Sequence, residues 1–341
     1  MGITKQIKVL LDISPLTNAN SVRGVGTYTR YLSQELSLST KISLLAPKSN
    51  EVPDIIHYPF FDLFFPTLPF AKKYKTVVTV HDIIPLIFPK EYPPGKKGLL
   101  NFIRQKISLT KNADAVITDS QNSKQDIIKY LKINENKIYV VSLAGNPYIK
   151  KSVNKYKLPE KYILYVGDIN YNKNIPQLIK ALKFLPEEIK LVCVGRAFKP
   201  QPIIEWQIIK NQLALSDVEN RVIFISDLGS DADSELSTIY SKALVYVQPS
   251  FYEGFGLPVL EAMQCETAVI CANNSSLQEI FSKYAIMTNT KAEEIALSIK
   301  NFLSMSSDKK QIIIKKAYEY SQGFNWTKTA NKTIKVYQSI L

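Results

Sequence analysis

The stretch Leu244-Val-Tyr-Val-Gln-Pro-Ser-Phe-Tyr-Glu-Gly-Phe-Gly-Leu-Pro-Val-Leu-Glu-Ala-Met263 reads as a strand, a loop and the start of a helix. Leu244 to Val247 is a short apolar run, as a buried strand requires. Gly254 and Gly256 permit dihedrals closed to other residues and let a ligand approach the backbone. Pro258 suits the first helical turn. The N–H groups at such a helix start favour a phosphate. Glu253 in the loop and Glu261 one turn into the helix are eight residues apart, so both can face one ligand. A carboxylate accepts hydrogen bonds from sugar hydroxyls, including both ribose hydroxyls at once.

The same strand-then-helix unit recurs on either side. Upstream lie the apolar runs 8–13, 42–45, 55–56, 76–80, 115–117 and 138–141, with helical periodicity over 26–36, 99–110 and 123–131. A second series begins at Tyr162-Ile-Leu-Tyr-Val166 and continues through 190–194, 222–225, 244–247 and 268–271, with a helix over 176–184. Alternation of this kind predicts parallel sheets covered on both faces. The segment Asn146 to Pro159 is polar, rich in lysine and bounded by prolines, and reads as a linker. The expected class is therefore α/β, two doubly wound, Rossmann-like domains facing a cleft, with ligands at the carboxyl ends of the strands. The domains are placed at 1–150 and 151–322, followed by a last helix over 323–341.

Composition narrows the partners. The chain has 341 residues, 45% hydrophobic and 21% charged, and a formal net charge of +13. Cys193, Cys265 and Cys271 are few, odd in number and without metal-ligand spacing, which fits reduced thiols in the cytoplasm. With two histidines in all, a histidine-built metal site is not expected. Met1 to Gln6 is polar rather than leader-like, and Gly2 lacks the residues of a myristoylation signal. No apolar run is long enough to span a membrane. Asp231-x-Asp233 reads as a helix start. Nothing resembles a nucleic-acid module. Lys72 to Lys111 carries nine Lys or Arg against two acids, beside the aromatic stretch Tyr58 to Phe70. Rings beside lysines suit an anionic membrane surface.

The string Glu253-Gly-Phe-Gly-Leu-Pro-Val-Leu-Glu-Ala-Met263 resembles the Glu-x7-Glu motif of retaining glycosyltransferases of the GT-B fold, in family four (group 1). The resemblance implies that Glu253 contacts the donor sugar, that Glu261 holds the nucleotide ribose, and that the backbone of Phe255, Gly256 and Leu257 meets the diphosphate. Tyr165 to Asn174 resembles the first loop of the nucleotide domain, with Lys173 as its diphosphate lysine. Many members carry an arginine in that loop. Here Asp168 or Asn172 stands in its place, so Arg196 after Gly195 is the candidate substitute. Val80-His-Asp-Ile-Ile-Pro-Leu86 resembles the strand-end histidine motif and places His81 at the sugar, with Asp82 as a partner or acceptor contact. Arg23 to Arg30 resembles the family's glycine loop, with Gly26 near the phosphate. Val222 to Leu228 matches the strand whose backbone reads the base, and Phe324-Asn-Trp326 opens a helix like the one that returns to the first domain. Glu266 departs from the pattern, since many members have glycine there.

The resemblance implies a hexosyltransferase, retaining and independent of metal, with a nucleotide-sugar as substrate rather than cofactor. GDP-mannose is the leading donor, UDP-sugars are the alternative, and the acceptor is a glycan or a lipid-linked sugar at the inner face of the membrane. A sugar-nucleotide epimerase of the same fold is the competing enzyme class, and a basic membrane-binding protein is the non-enzymatic one.

Overall fold

The computed structural model describes residues 6–229 and 231–341, so the opening segment with Gly2 lies outside them. By contacts the chain divides into two compact units, Met1–Ala144 with Phe324–Leu341, and Gly145–Gly323.

Unit 1 is built on the strands β1 (Ile7–Leu11), β2 (Ile42–Leu44), β3 (Ile55–Tyr58), β4 (Lys75–Thr79), β5 (Ala115–Thr118) and β6 (Ile138–Val140), in the order β2-β1-β3-β4-β5-β6. All neighbours are parallel. Its helices are α1 (Gly24–Ser37), the single turn α2 (Ile84–Ile87), α3 (Gly95–Asn112) and α4 (Gln121–Asp126), the last running into a π-helical turn at Ile127–Leu131. Val78, Val116 and Ile138 of the sheet pack with Leu109 and Ile127 of the helices.

Unit 2 repeats the plan with β7 (Tyr162–Val166), β8 (Lys190–Val194), β9 (Val222–Ile225), β10 (Val245–Gln248), β11 (Val269–Ala272) and β12 (Ile286–Thr288), ordered β12-β11-β10-β7-β8-β9 and again all parallel. Its helices are α5 (Ile175–Ala181), α6 (Ile204–Ser216), α7 (Ala232–Lys242), α8 (Leu257–Gln264), α9 (Ser275–Phe281), α10 (Ala292–Leu303) and α11 (Ser307–Ser321). β10 and β11 are buried at every position, because helices cover both faces. The edge strand β12 is absent from the strands expected from the sequence.

A final helix, α12 (Trp326–Ile340), belongs to unit 1. Asn325 caps it by accepting the N–H of Lys328, and Trp326 packs against Tyr28 and Tyr31 of α1. The segment after Ala144 is polar but not loose. Asn146 Nδ2 donates to Asp233, Ser152 N–H to Ser241 Oγ, and Asn154 Nδ2 to Ser234, so it lies along the Ser/Thr face of α7. The three cysteines are buried free thiols.

In both sheets the chain reverses direction once. In unit 2 it moves outward from β7 to β9, then returns to the other side of β7 as β10. The loops leaving β7 and β10 therefore diverge at one point of the carboxyl edge, where open α/β sheets bind ligands.

Candidate active site

Those two diverging loops are stitched together by asparagines. Asn174 ends a 3-10 turn with φ 57°, a left-handed conformation that asparagine tolerates. Its Nδ2 donates to the carbonyls of Pro249 and Thr290, each at 2.9 Å. Asn172 Nδ2 donates to Tyr252 O at 2.9 Å, while Phe251 N–H donates to Asn172 O at 2.8 Å. Between the two asparagines, Lys173 Nζ reaches both carboxylate oxygens of Glu253, at 2.8 and 2.9 Å.

Glu253 is 7% exposed and sits in a dense set of donors. Gln248 Nε2 at 2.9 Å and Ser250 Oγ at 2.7 Å both donate to its Oε1. The Tyr246 hydroxyl donates to Gln248 Oε1, which fixes the amide so that its NH2 end faces Glu253. Oε1 thus meets three donors and Oε2 meets Lys173 alone among the described residues. The remaining lone pair of Oε2 is the one left for a ligand hydroxyl.

Gly256 precedes α8 with φ 106°. A Cβ there would stand 2.9 Å from Leu277 Cδ2 and 3.1 Å from Phe281 Cε2, so both dihedral and space call for glycine. The Phe255 ring is buried edge-on against Phe281. The N–H groups of Gly256 and Leu257 open α8, where no intrahelical acceptor exists. Further along α8, Glu261 Oε2 accepts from Tyr240 Oη at 3.1 Å. Burial pushes its carboxyl up to about 7, against the pull of Tyr240 and the Asn146 backbone and with repulsion from Asp233 added.

Neither Asp168 nor Asn172 fills the place of the missing loop arginine. Asp168 Oδ1 accepts the N–H of Ile169, and Asn172 is buried in the loop clamp. Arg196 is exposed just beyond the carboxyl end of β8. It follows Gly195, where a Cβ would lie 2.0 Å from Gly167 O, so the loops after β7 and β8 touch there. Glu266 takes the left-handed conformation itself, φ 55°, and pairs with Lys151 at 2.8 Å. The turn that glycine would make is thus kept rather than reshaped. Asp231 precedes α7 as the helix-start reading expects, although its side chain makes no cap bond.

In unit 1, His81 follows β4 at the carboxyl edge. Asp119, buried at the end of β5, accepts from Nδ1 at 2.8 Å, and the Pro59 carbonyl accepts from Nε2 at 3.2 Å. Asp82 instead accepts the N–H of Ile84 through Oδ1. Burial opposes charge on His81, but Asp119, Asp82 and the Pro59 carbonyl outweigh it and hold the ring above its ordinary value. Acceptors at both nitrogens favour the protonated ring as a donor on either side, while burial raises the Asp119 carboxyl in turn. His57 shows the opposite case. Enclosed between Tyr337 Oη at 2.7 Å and Thr79 Oγ1 at 2.8 Å, it is lowered to about 3 by burial and by His81. A histidine NMR titration is therefore expected to show one ring, His81, changing charge above pH 6.5 and the other neutral to about pH 3. Asp119→Asn should lower the His81 midpoint; an unmoved midpoint contradicts the pairing.

Gly26 lies inside the first turn of α1, which begins at Gly24. A Cβ there would stand 2.4 Å from Asn20 O and 2.6 Å from Ser21 O, so packing on the preceding 3-10 turn by itself requires glycine. A cavity of about 230 Å3 lies elsewhere in unit 1, between the 68–73 segment and the Ile56, Tyr58, Thr76 and Val78 face of the sheet. His81 does not line it.

Unit 2 thus gathers Lys173, Glu253, the α8 head and Glu261 at one switch point, and matching residues 149–320 is the family model for glycosyl transferases group 1. Residues 36–144 match that of glycosyltransferase family 4. The chain belongs to the group 1 glycosyltransferases. The glycosyltransferase is 29% identical over 313 residues to the serotype-specific mannosyltransferase WbdA of Escherichia coli, covering 86% of this chain but only 38% of that protein. It is 28% identical over 279 residues to the O-antigen chain mannosyltransferase B of the same species, covering 77% and 70%. Among solved structures, sucrose-phosphate synthase from Thermosynechococcus elongatus superposes with a TM-score of 0.75 at 19% identity, covering 98% and 99%. WaaG, a glycosyltransferase involved in lipopolysaccharide biosynthesis, gives 0.70 at 13%, covering 97% and 99%. These likenesses establish the GT-B fold. Reading the motifs of the glycosyltransferase missed Asp119, Asn174, Gln248, Ser250 and Tyr240. Asp119 and Gln248, each just after an apolar run, carried a sequence signal.

Proposed function

We propose that this glycosyltransferase moves a hexose from a nucleotide-sugar, GDP-mannose first among them, to a glycan or lipid-linked acceptor with retention at the anomeric carbon. The observation that carries the reading is the Lys173–Glu253 pair beside the open head of α8, at the carboxyl edge of unit 2. There the diphosphate meets the N–H groups of Gly256 and Leu257, and Lys173 and Arg196 offset the charge that grows on it as it leaves. Glu261 accepts the ribose hydroxyls. The bond from the anomeric carbon to the diphosphate oxygen breaks, and the acceptor oxygen bonds that carbon from the same face, passing its proton to the departing diphosphate oxygen. Glu253, with both oxygens engaged, positions a sugar hydroxyl instead of attacking. His81 donates to a sugar or acceptor oxygen through its Nε2–H, in exchange for the 3.2 Å contact to the Pro59 carbonyl. In this scheme the protein's cations do the neutralising and no metal is required. The mannosyl preference is supported by the names of the Escherichia coli relatives. We place the enzyme in the cytoplasm, peripheral to the membrane and serving cell-surface polysaccharide assembly.

A panel of nucleotide-sugars followed by thermal shift tests the donor. GDP-mannose at 100 times its Kd is expected to stabilise by about 2.7 kcal/mol. A larger rise with a UDP-sugar moves the assignment to that donor, and no rise with any of them removes the reading. A new nucleotide-sugar formed without acceptor indicates an epimerase.

A further inference from the structure

On its inner side helix α3 buries Leu109 together with polar residues that hold the 64–70 segment. Asn101 donates to Phe64 O, Gln105 accepts from the N–H groups of Thr67 and Leu68, Ser108 donates to Pro69 O, and Asn112 donates to Phe70 O. These bonds satisfy a loop that would otherwise bury its carbonyls and amides unpaired. The consequence is that Leu99, Leu100, Ile103 and Ile107 point outward, Leu100 with 65% of its surface exposed. Their spacing sets them on one stripe of the helix. Phe65 and Phe70, at the two ends of the clamped segment, are exposed by 69% and 65%.

The charge on this face has one sign. α3 carries Lys96, Lys97, Arg104, Lys106 and Lys111 and no Asp or Glu. Of these, Lys96, Lys97, Arg104 and Lys111 are exposed. An aliphatic stripe bordered by cations fits an interface where apolar groups enter acyl chains and cations meet phosphate headgroups. A second copy of the chain would set like charges against each other, which disfavours self-association through this face.

We propose that the outer face of α3, with Phe65 and Phe70, docks this protein on an anionic lipid bilayer by inserting its aliphatic stripe to the depth of the headgroups. This surface is separate from the donor residues, and its test does not depend on them. The full chain is sedimented with vesicles of equal parts phosphatidylglycerol and phosphatidylcholine, or phosphatidylcholine alone. Pelleting is expected with the first at low salt, much less with the second, and less in high salt. The double variant Leu100→Ser, Ile103→Ser should weaken binding on the order of tenfold, since both side chains lose their apolar gain. Lys96→Glu with Lys97→Glu should weaken it more, by at least about twenty-fivefold, at roughly a factor of five per cation before reversal. Val153→Ser, an exposed apolar residue of unit 2, is the control and should bind as the parent does. Circular dichroism confirms folding, as every changed residue is exposed. No pelleting of the parent with phosphatidylglycerol at low salt overturns the proposal. So does unchanged binding by both double variants, or a dimer in sedimentation velocity that the Leu100, Ile103 variant converts to monomer.

Discussion

Glu253→Gln is expected to lower kcat roughly a hundred- to a thousandfold while GDP affinity stays within about threefold. The substitution keeps the shape of the side chain and removes its charge. Lys173 then faces at most one neutral amide oxygen in place of two carboxylate oxygens, and the Gln248 and Ser250 donors face an amide instead of a carboxylate. The sugar hydroxyl that Oε2 would accept is no longer held in register with the diphosphate. The nucleotide itself is held by Glu261 and the α8 head, which this change does not touch. Some stability is lost as well, about 1–3 kcal/mol, because Lys173 keeps partial access to solvent. Steady-state kinetics with the donor found in the nucleotide-sugar panel, together with GDP calorimetry, separates the two effects. Unchanged kcat would remove Glu253 from the site; a parallel loss of GDP affinity would place it at the nucleotide rather than the sugar.

Glu261→Gln should act in the opposite pattern, weakening GDP by about ten- to a hundredfold at pH 8. The parent's GDP affinity should itself rise with pH through about 7, since only the ionised carboxylate accepts both ribose hydroxyls. Folding stability moves the other way. The folded-state carboxyl lies at about 7, against 4.5 for the unperturbed group. Between those values the native state holds a proton that the unfolded chain has released, so stability is greatest below pH 4.5 and falls until about pH 7. The full difference is on the order of 3 kcal/mol. Glu261→Gln should therefore be more stable than the parent at pH 8 and similar to it near pH 4. Equal denaturation midpoints at pH 8 would show that Glu261 is not held protonated by burial.

Together the two variants describe a division of labour between carboxylates eight residues apart. Glu253 is buried but satisfied by cation and amide, so it stays a fixed acceptor. Burial holds Glu261 near its own titration, opposed by only a phenol and one backbone amide, and a ribose offers it the partners it lacks. Sequence spacing placed both on one ligand but could not distinguish their surroundings, because the residues that differ come from β10, α7 and the segment after Ala144.

The fold was legible where burial leaves a local trace. Strands covered on both faces must be apolar throughout, so β5, β7, β8 and β10 stand out as runs, and helices between them carry their own period. β12 escaped although β2 and β6, edge strands of the same length, were read, so neither length nor edge position accounts for it. The left-handed positions were half legible. Gly256 announces itself, whereas Glu266 and Asn174 adopt the same backbone without the residue that signals it.

Of the candidate site, the sequence by itself determined the residues whose chemistry is intrinsic: two glutamates flanking a glycine turn, a lysine after a strand, a histidine at a strand end. Those traits are local, and a motif preserves them. Tertiary structure alone decided their states. It set Asp119 and the Pro59 carbonyl on either side of His81 and so raised that ring above its ordinary value, and it aimed Gln248 at Glu253 through Tyr246. It also turned polar residues of α3 inward, leaving an aliphatic stripe to water. Each depends on which strand lies beside which, and that order follows from summed packing over whole sheets rather than from any short run of residues.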